Sequence, residues 1–378
     1  MANKQLSYDY ANDIRDLSNV FQMVIEKSPV LSTMVSVGWV ATNTKHEFLE
    51  DVVSQSEWAT DSDYTAADLT MEVVSNVGIA VNDILEFELT TGAMSTLKAK
   101  VATVNANTTT VTFTVYGGST DLDMLSGSKV FLLARPKNEA TEATANNGYE
   151  PTVEYNVTQI FDRTAKVSLT SLEIPKYGIG GALNYQVERQ VMDIAYEMNR
   201  TMLRAPRVVR SSSENGTMWG IMYFLESATG NSVDASSAAI TPTIINNAVE
   251  IGNGNGATNM TTMLCNPVQA RKISAFNQSG NNPVMQRADT VTGSYVTTFV
   301  SDQGNVITIV ADRNFDKDKV ALLDMSKINL VPLQNRQMQD KDATPAGADY
   351  VARRVIGEYT LEVKNASQSH AYIYGLTV

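Results

Sequence analysis

Between Tyr177 and Arg210 the chain permits little besides one long helix. Leu183, Val187, Val191, Ile194, Ala195, Met198 and Met202 recur at about 3.6-residue spacing and draw a single apolar stripe. The spacing predicts a helix over 182–204. Tyr177-Gly-Ile-Gly-Gly interrupts the chain before it, and Pro206 stops it. Arg200 and Arg204 lie toward its C-terminal end, with Arg207 and Arg210 just beyond, and no acid falls between Met198 and Ser213. Positive charge there complements the helix dipole. One apolar stripe needs one packed layer to cover it, so the rest of the chain has to supply that layer.

Upstream, residues 1–9 read as a polar arm and residues 10–27 as a helix, with Leu17, Phe21, Val24 and Ile25 at helical spacing. Ser28-Pro29 stops it. Residues 30–43 read as a short extended stretch. Residues 44–72 carry eight acids: Glu47, Glu50, Asp51, Glu57, Asp61, Asp63, Asp68 and Glu72. After Lys45 the next Lys or Arg is Lys98. No period is visible, so this stretch is expected to be either a solvated, partly extended loop or an acidic arm that docks on a basic surface. Residues 73–135 are strand territory: Ile84-Leu-Glu-Phe-Glu-Leu alternates, and residues 108–116 are dense in β-branched and aromatic types. Turn signals at intervals of about ten residues suggest a small β-barrel or sandwich. Residues 136–150 form a polar linker.

Downstream, Tyr155 to Leu172 is expected to be extended. Thr241-Pro242 and Asn266-Pro267 each open a helix, with a capping side chain followed by proline at the first helical position. Val306–Val310, Val320–Leu323 and Tyr359–Val363 read as strands. The fold class is α+β.

The chemistry is sparse. The 378 residues hold one cysteine, Cys265, and two histidines, His46 and His370. No intrachain disulfide, CxxC metal site or multi-histidine site can be built, and histidine-based catalysis is starved. Gly252-Asn-Gly-Asn-Gly256 follows a helix instead of opening one, which suits a C-cap and not a phosphate cradle. Cys265 stands next to a predicted helix start, but a buried structural thiol is the better reading. Asp312, Asp316, Asp318 and Asp324 lack the glycine and terminal glutamate of a calcium loop and are expected in a solvated turn. No catalytic residue, cofactor or metal is expected. The net charge of −12 makes nucleic-acid wrapping unfavourable. It is also uneven: residues 1–150 carry 9 Lys+Arg against 20 Asp+Glu, and residues 151–378 carry 20 against 21. The N-terminus has no signal-peptide pattern, and no window of about 18 apolar residues exists, so no membrane span is expected.

An N-terminal arm, a long extended loop, a long amphipathic helix and then an α+β domain is an order that resembles the major capsid proteins of tailed bacteriophages, with the HK97-type (Johnson) fold. Tyr155-Asn-Val-Thr-Gln-Ile-Phe-Asp-Arg-Thr-Ala-Lys-Val-Ser, Tyr177-Gly, the helix with Glu188 and Glu197, Met218-Trp-Gly-Ile-Met-Tyr-Phe-Leu and Glu358-Tyr-Thr-Leu-Glu-Val-Lys-Asn look like the long-headed podovirus branch. The resemblance implies residues 1–40 as the N-arm and 41–72 with 136–170 as the limbs of the E-loop. Residues 73–135 become a β-rich module inserted in that loop. Residues 171–215 become the P domain with its spine helix, 216–350 the A domain, and 351–378 strands returning to the P domain. It implies self-assembly into pentamers and hexamers of an icosahedral shell around double-stranded DNA, made in the host cytoplasm. A portal, a separate scaffolding protein and a decoration protein are further expected partners, with DNA met only by non-specific proximity. The chain starts at the arm, so no fused scaffold is expected. Charge segregation suggests that Glu47, Glu50, Asp51, Glu57, Asp61, Asp63 or Asp68 meets Arg200, Arg204, Arg207 or Arg210 of an adjacent subunit. Two other classes remain open: a tail or fibre component, suggested by the β-rich middle, and an enzyme with an acidic site.

Overall fold

The computed structural model describes residues 31, 34–50, 57–63, 70–76, 78–89, 91–105, 108–118, 124–137, 139, 151–174, 181–228, 230–257, 259–276 and 297–378. The expected helix at 10–27 lies outside them. The chain forms two compact units, Met1–Glu50 with Val153–Val378, and Asp51–Thr152.

The first unit begins with strands β1 (Ser36–Val37) and β2 (Lys45–Glu50). The second unit holds β3 (Glu57–Ala59), β4 (Thr70–Glu72), β5 (Ile84–Glu88), β6 (Met94–Val104), β7 (Thr110–Gly117) and β8 (Lys129–Ala134). Their order is β3-β8-β5-β6-β7-β4. The two edges then meet: Asp61 N–H donates to Glu72 O at 3.0 Å and Val74 N–H to Ala59 O at 2.9 Å. The sheet thus closes on itself, which removes its open edges. Register shifts in β5–β6, β5–β8 and β6–β7 add the curvature closure needs. Leu97, Ala99 and Val101 alternate inward on β6 and meet Val111 and Phe113 of β7, so side chains fill the interior. Gly118 has φ +89°, and a Cβ there would lie 1.9 Å from Thr96 O. Only glycine fits that turn.

These strands correct two expectations. The β-rich module is not confined to 73–135, because Glu57–Ala59 and Thr70–Glu72 belong to its sheet. The acidic stretch 44–72 is accordingly not one loop, since it contributes β2, β3 and β4.

The first unit resumes with β9 (Thr152–Val157), β10 (Gln159–Ser168) and helices α1 (Leu169–Glu173), α2 (Ala182–Arg204) and α3 (Ile221–Ser227). Then come β11 (Ser232–Asp234), α4 (Pro242–Gly254), β12 (Thr262–Cys265), α5 (Pro267–Ser274), β13 (Thr298–Val300), β14 (Val306–Ala311) and β15 (Val320–Leu323). The chain ends with β16 (Ile328–Pro332), β17 (Gln339–Asp342), β18 (Tyr350–Val363), α6 (Ala366–Ser369) and β19 (Ala371–Tyr374). Helix α2 has the bounds its stripe predicts. Both predicted caps form: Thr241 accepts from Ile244 N–H and Asn266 from Val268 N–H. The glycine-rich stretch ends α4, where Ala257 N–H returns to Gly252 O at 2.9 Å and Gly256 N–H to Asn253 O at 3.1 Å, a Schellman-type stop.

Among the described residues this unit holds two larger sheets besides the two-stranded β2–β9 pair. In the first, β18 is central: β10 runs antiparallel along Tyr350–Tyr359, while β17 and β16 divide its other side and β1 lies parallel on β16. In the second the order is β11-β19-β15-β12-β14-β13. This sheet is buried on both faces, so its central strands read as unbroken apolar runs. Met263, Cys265, Val320, Leu322, Ala371 and Ile373 face one core with α4 and α5. The alternate residues Leu264, Ala321, Leu323 and Tyr372 face the other, with Ile194, Met198 and Met202 of α2.

Burial explains the inert thiol and one histidine. It pushes the Cys265 thiol up to about 12, which unmakes it as a nucleophile. It pushes His370 down to about 4, against the opposing pull of Asp324. Asp324 N–H donates to its Nδ1 at 3.1 Å, so the ring is held neutral. The unfolded ring protonates near pH 6.5, so acid favours unfolding. Stability present above pH 6.5 is expected to fall by about 3 kcal/mol from this group as pH drops to 4. Urea denaturation of wild type and His370→Asn across that window checks it, because the variant should lack this component of the slope. Asp312 and Asp324 are buried, contrary to the solvated turn expected of them. Asp312 accepts from Asn199 Nδ2 at 2.8 Å, and Asp324 caps the turn at Ser326.

Candidate functional site

On β18 the odd residues Val355, Leu361 and Val363 face the core around α2, so Glu358, Thr360 and Glu362 face the other way. That second face should be wet, yet all three are buried. What covers it is the root of a two-stranded ribbon, β2 paired with β9, together with the segment after α2.

Both carboxylates there have partners, while the Thr360 hydroxyl is buried without one among the described residues. Glu358 accepts from Thr158 Oγ1 at 2.7 Å and pairs with Arg210 at 3.0 Å and Arg336 at 2.7 Å. Burial raises its carboxyl, but the Thr158 and Arg210 hydrogen bonds and the two guanidinium charges outweigh burial and leave it lowered. Glu362 is also lowered: burial opposes, while His46 at 2.7 Å and Lys364 at 3.4 Å prevail. Glu50, at the far end of β2, accepts from Asn365 N–H at 2.7 Å. Burial first, then Glu154, raises it. Asn156 donates to Leu361 O at 2.8 Å and Trp219 O at 3.2 Å. Arg207 lies over the rings of Tyr155 and Trp219 at 3.9 and 4.0 Å, with Glu154 at 3.1 Å and Tyr155 O at 2.6 Å. Such stacking holds a guanidinium in one place. The arrangement anchors the ribbon mechanically. Among the described residues no group of three or more His, Cys, Asp or Glu could hold a metal ion.

The sequence-predicted charges divide. Arg207 and Arg210 spend their hydrogen bonds on Glu154 and Glu358 of their own chain, because the ribbon root brings those acids to them. Arg204, more exposed, pairs with Asp316 at 2.9 Å. Arg200 Nε donates to Asn314 Oδ1 at 3.2 Å. Glu47 pairs with Lys45 at 2.5 Å, and Glu57 is 3.9 Å from Lys129. Asp63 accepts from Ser126 N–H at 2.8 Å and the carbonyl of Asp61 from Ser126 Oγ at 3.0 Å. Asp51 and Asp68 lie outside the described residues. Glu154, Glu358, Glu362, Arg336 and Trp219 were not anticipated in these roles. The alternation Glu358-Tyr-Thr-Leu-Glu362 was the available signal of a polar strand face.

The profile of the SU10 major capsid protein family matches residues 2–377. The chain belongs to that family. Solved capsids share the fold. A cyanophage A-1(L) capsid subunit is 12% identical, covering 100% of this chain and 98% of its own, with a TM-score of 0.53. The capsid of an empty GTA particle is 9% identical over 99% and 100%, also at 0.53. A structure from Microbacterium phage Oxtober96 is 12% identical over 96% and 95%, at 0.50. No curated protein matches the chain. The architecture is therefore the HK97-type α+β capsid fold, and the resemblance drawn from the sequence holds. This SU10-family chain is a major capsid protein, a structural subunit of an icosahedral virion shell and not an enzyme. Its copies associate with one another in capsomers. No helix among the described residues is long and apolar enough to cross a membrane.

Proposed function

We propose that this SU10-family chain forms pentamers and hexamers of a tailed-phage head and encloses double-stranded DNA. Residues 1–40 act as an arm, the β2–β9 ribbon as the base of an E-loop carrying the closed β-sheet module, α2 as the spine of a P domain, and the second sheet as the core of an A domain. The family match over nearly the whole chain carries this reading. The bracing at Glu358 and Arg207 supports it, since an arm that reaches a neighbour needs a firm base. The chain is made in the host cytoplasm. A separate scaffolding protein and a portal serve assembly, decoration protein binds outside, and DNA is met only non-specifically because the chain is acidic. Electron microscopy of the purified chain, alone and with its scaffold, should show closed shells. Small discrete particles or fibres would refute it.

Between neighbours, acids of residues 47–68 meet Arg200 and Arg204, while Arg207 and Arg210 brace their own subunit. The support is complementary charge and the exposure of Arg200 and Arg204. Each exposed pair contributes only about 0–1 kcal/mol, so pairing sets register more than affinity. Arg204→Glu is expected to slow assembly several-fold, and a compensating Glu47→Lys or Asp61→Lys to restore it. Asp316→Asn controls for the lost pair within the chain. Light scattering that shows unchanged assembly of Arg204→Glu would remove the pairing and leave the capsid function standing.

A further inference from the structure

Three tryptophans sit in very different surroundings. Trp58 is 3% exposed in the closed sheet, and Trp219 packs on Phe224 at 4.9 Å. Trp39 is 87% exposed, beside Val37 at 71% and Val40 at 45%. A large apolar side chain left this open is informative when its backbone is held still.

It is held on both sides. Ser36 and Val37 pair with Asn329 and Leu330 of β16. Gly38 N–H donates to Leu330 O and Ala41 N–H to Pro332 O, each at 2.9 Å, and Gln334 N–H returns to Ala41 O at 2.9 Å. Ser36 Oγ donates to Asn329 Oδ1 at 2.7 Å. A Cβ on Gly38 would lie 3.0 Å from Asn329 Cβ, so the strand rests directly on its neighbour. Among the described residues β1 is also at the end of its sheet, with no strand on its other side. Since Gly38 N–H faces β16, the flanking peptide groups of Val37 and Trp39 face the open edge. A fixed apolar trio beside an open strand edge is a preorganised contact that loses little freedom on binding.

We infer that Trp39, with Val37 and Val40, is an interface anchor covered by a second copy of this chain; the inference rests on the capsid reading. Three observations select the occupant. The family builds its shell from copies of one chain. An open strand edge calls for another polypeptide backbone. The 20 acids against 9 basic residues in residues 1–150 disfavour anionic lipid and nucleic acid as the covering surface. The contact is heterologous, one copy's strand edge against a different patch of the next.

Acrylamide quenching of tryptophan emission tests this on the full chain, unassembled and in purified shells, with Trp39→Phe to isolate the Trp39 signal. Quenching of Trp39 should fall several-fold when the chain alone assembles. Trp39→Ser should melt with the wild type, as expected of a surface change. Its threshold concentration for association should rise by about tenfold or more. Shells in which acrylamide still reaches Trp39 freely overturn the inference alone. So does a Trp39→Ser chain that assembles at the wild-type threshold, or closed shells that leave Trp39 open until a further protein is added to them. A wild type that never associates overturns the capsid reading and this inference with it.

Discussion

Replacing Arg210 and Arg336 together by glutamine is expected to cost the first unit about 3–5 kcal/mol at pH 7. The reason is the carboxylate left behind. Glu358 is 2% exposed, so it cannot turn to water when its cations go, whereas the two arginines are partly exposed and would survive the converse change. In the wild type the folded carboxyl is lowered below 4.5, so it adds stability above pH 4.5 that is lost as pH falls through the folded value. In the double variant burial acts without the two guanidinium charges. The carboxyl then rises above 4.5, and the damage grows as pH climbs toward 7. Urea unfolding from pH 4.5 to 7, followed by Trp219 emission, should show a wild-type advantage that widens with pH. Adding Glu358→Gln to the double variant should flatten the difference and recover most of the loss. A cost independent of pH would mean that shape, not charge, holds this junction.

The junction also shows what a sequence can and cannot carry. Helix α2 was legible to the residue because its stripe and Pro206 are local, and the Thr241 and Asn266 caps because each acts within three residues. The three-residue strands β3 and β4 were not, since three residues cannot display a period and their partners lie far along the chain on β8 and β7. Sequence pattern alone therefore starts the module at 73, after both strands. The arginine cluster was visible as charge, but its destinations were not: Glu154, Asp316 and Glu358 lie 53, 112 and 148 positions from their partners. Glu358 and Glu362 stood on a readable polar face, and reading alternation as exposure fails where a ribbon lies across it. Acidic residues were read as solvent-facing by type. Asp312 and Asp324 are inside because Asn199 and Ser326 satisfy them there.

Phe224→Ala is expected to remove about 3–5 kcal/mol, the range for truncating a buried aromatic. Phe224 is 2% exposed on α3, and its ring meets two others: Trp219 at 4.9 Å with a 59° tilt, and Phe48 at 6.4 Å with a 50° tilt. Trp219 forms one side of the Arg207 stack, and Phe48 is the buried residue of β2. One truncation therefore opens a cavity beneath both the strand and the arginine that fix the ribbon root. Phe224→Leu keeps most of the volume and should cost less than half as much. Tyr223, the next residue, is 38% exposed and stacks on the same tryptophan at 6.3 Å, so Tyr223→Ala should cost about 1 kcal/mol or less. The three variants, compared by urea denaturation with hydrogen exchange of the β2 amides, separate burial from stacking. Lost protection in β2 should accompany Phe224→Ala only. Equal losses for Tyr223→Ala and Phe224→Ala would mean that the ribbon is held by its ion pairs and not by this aromatic core.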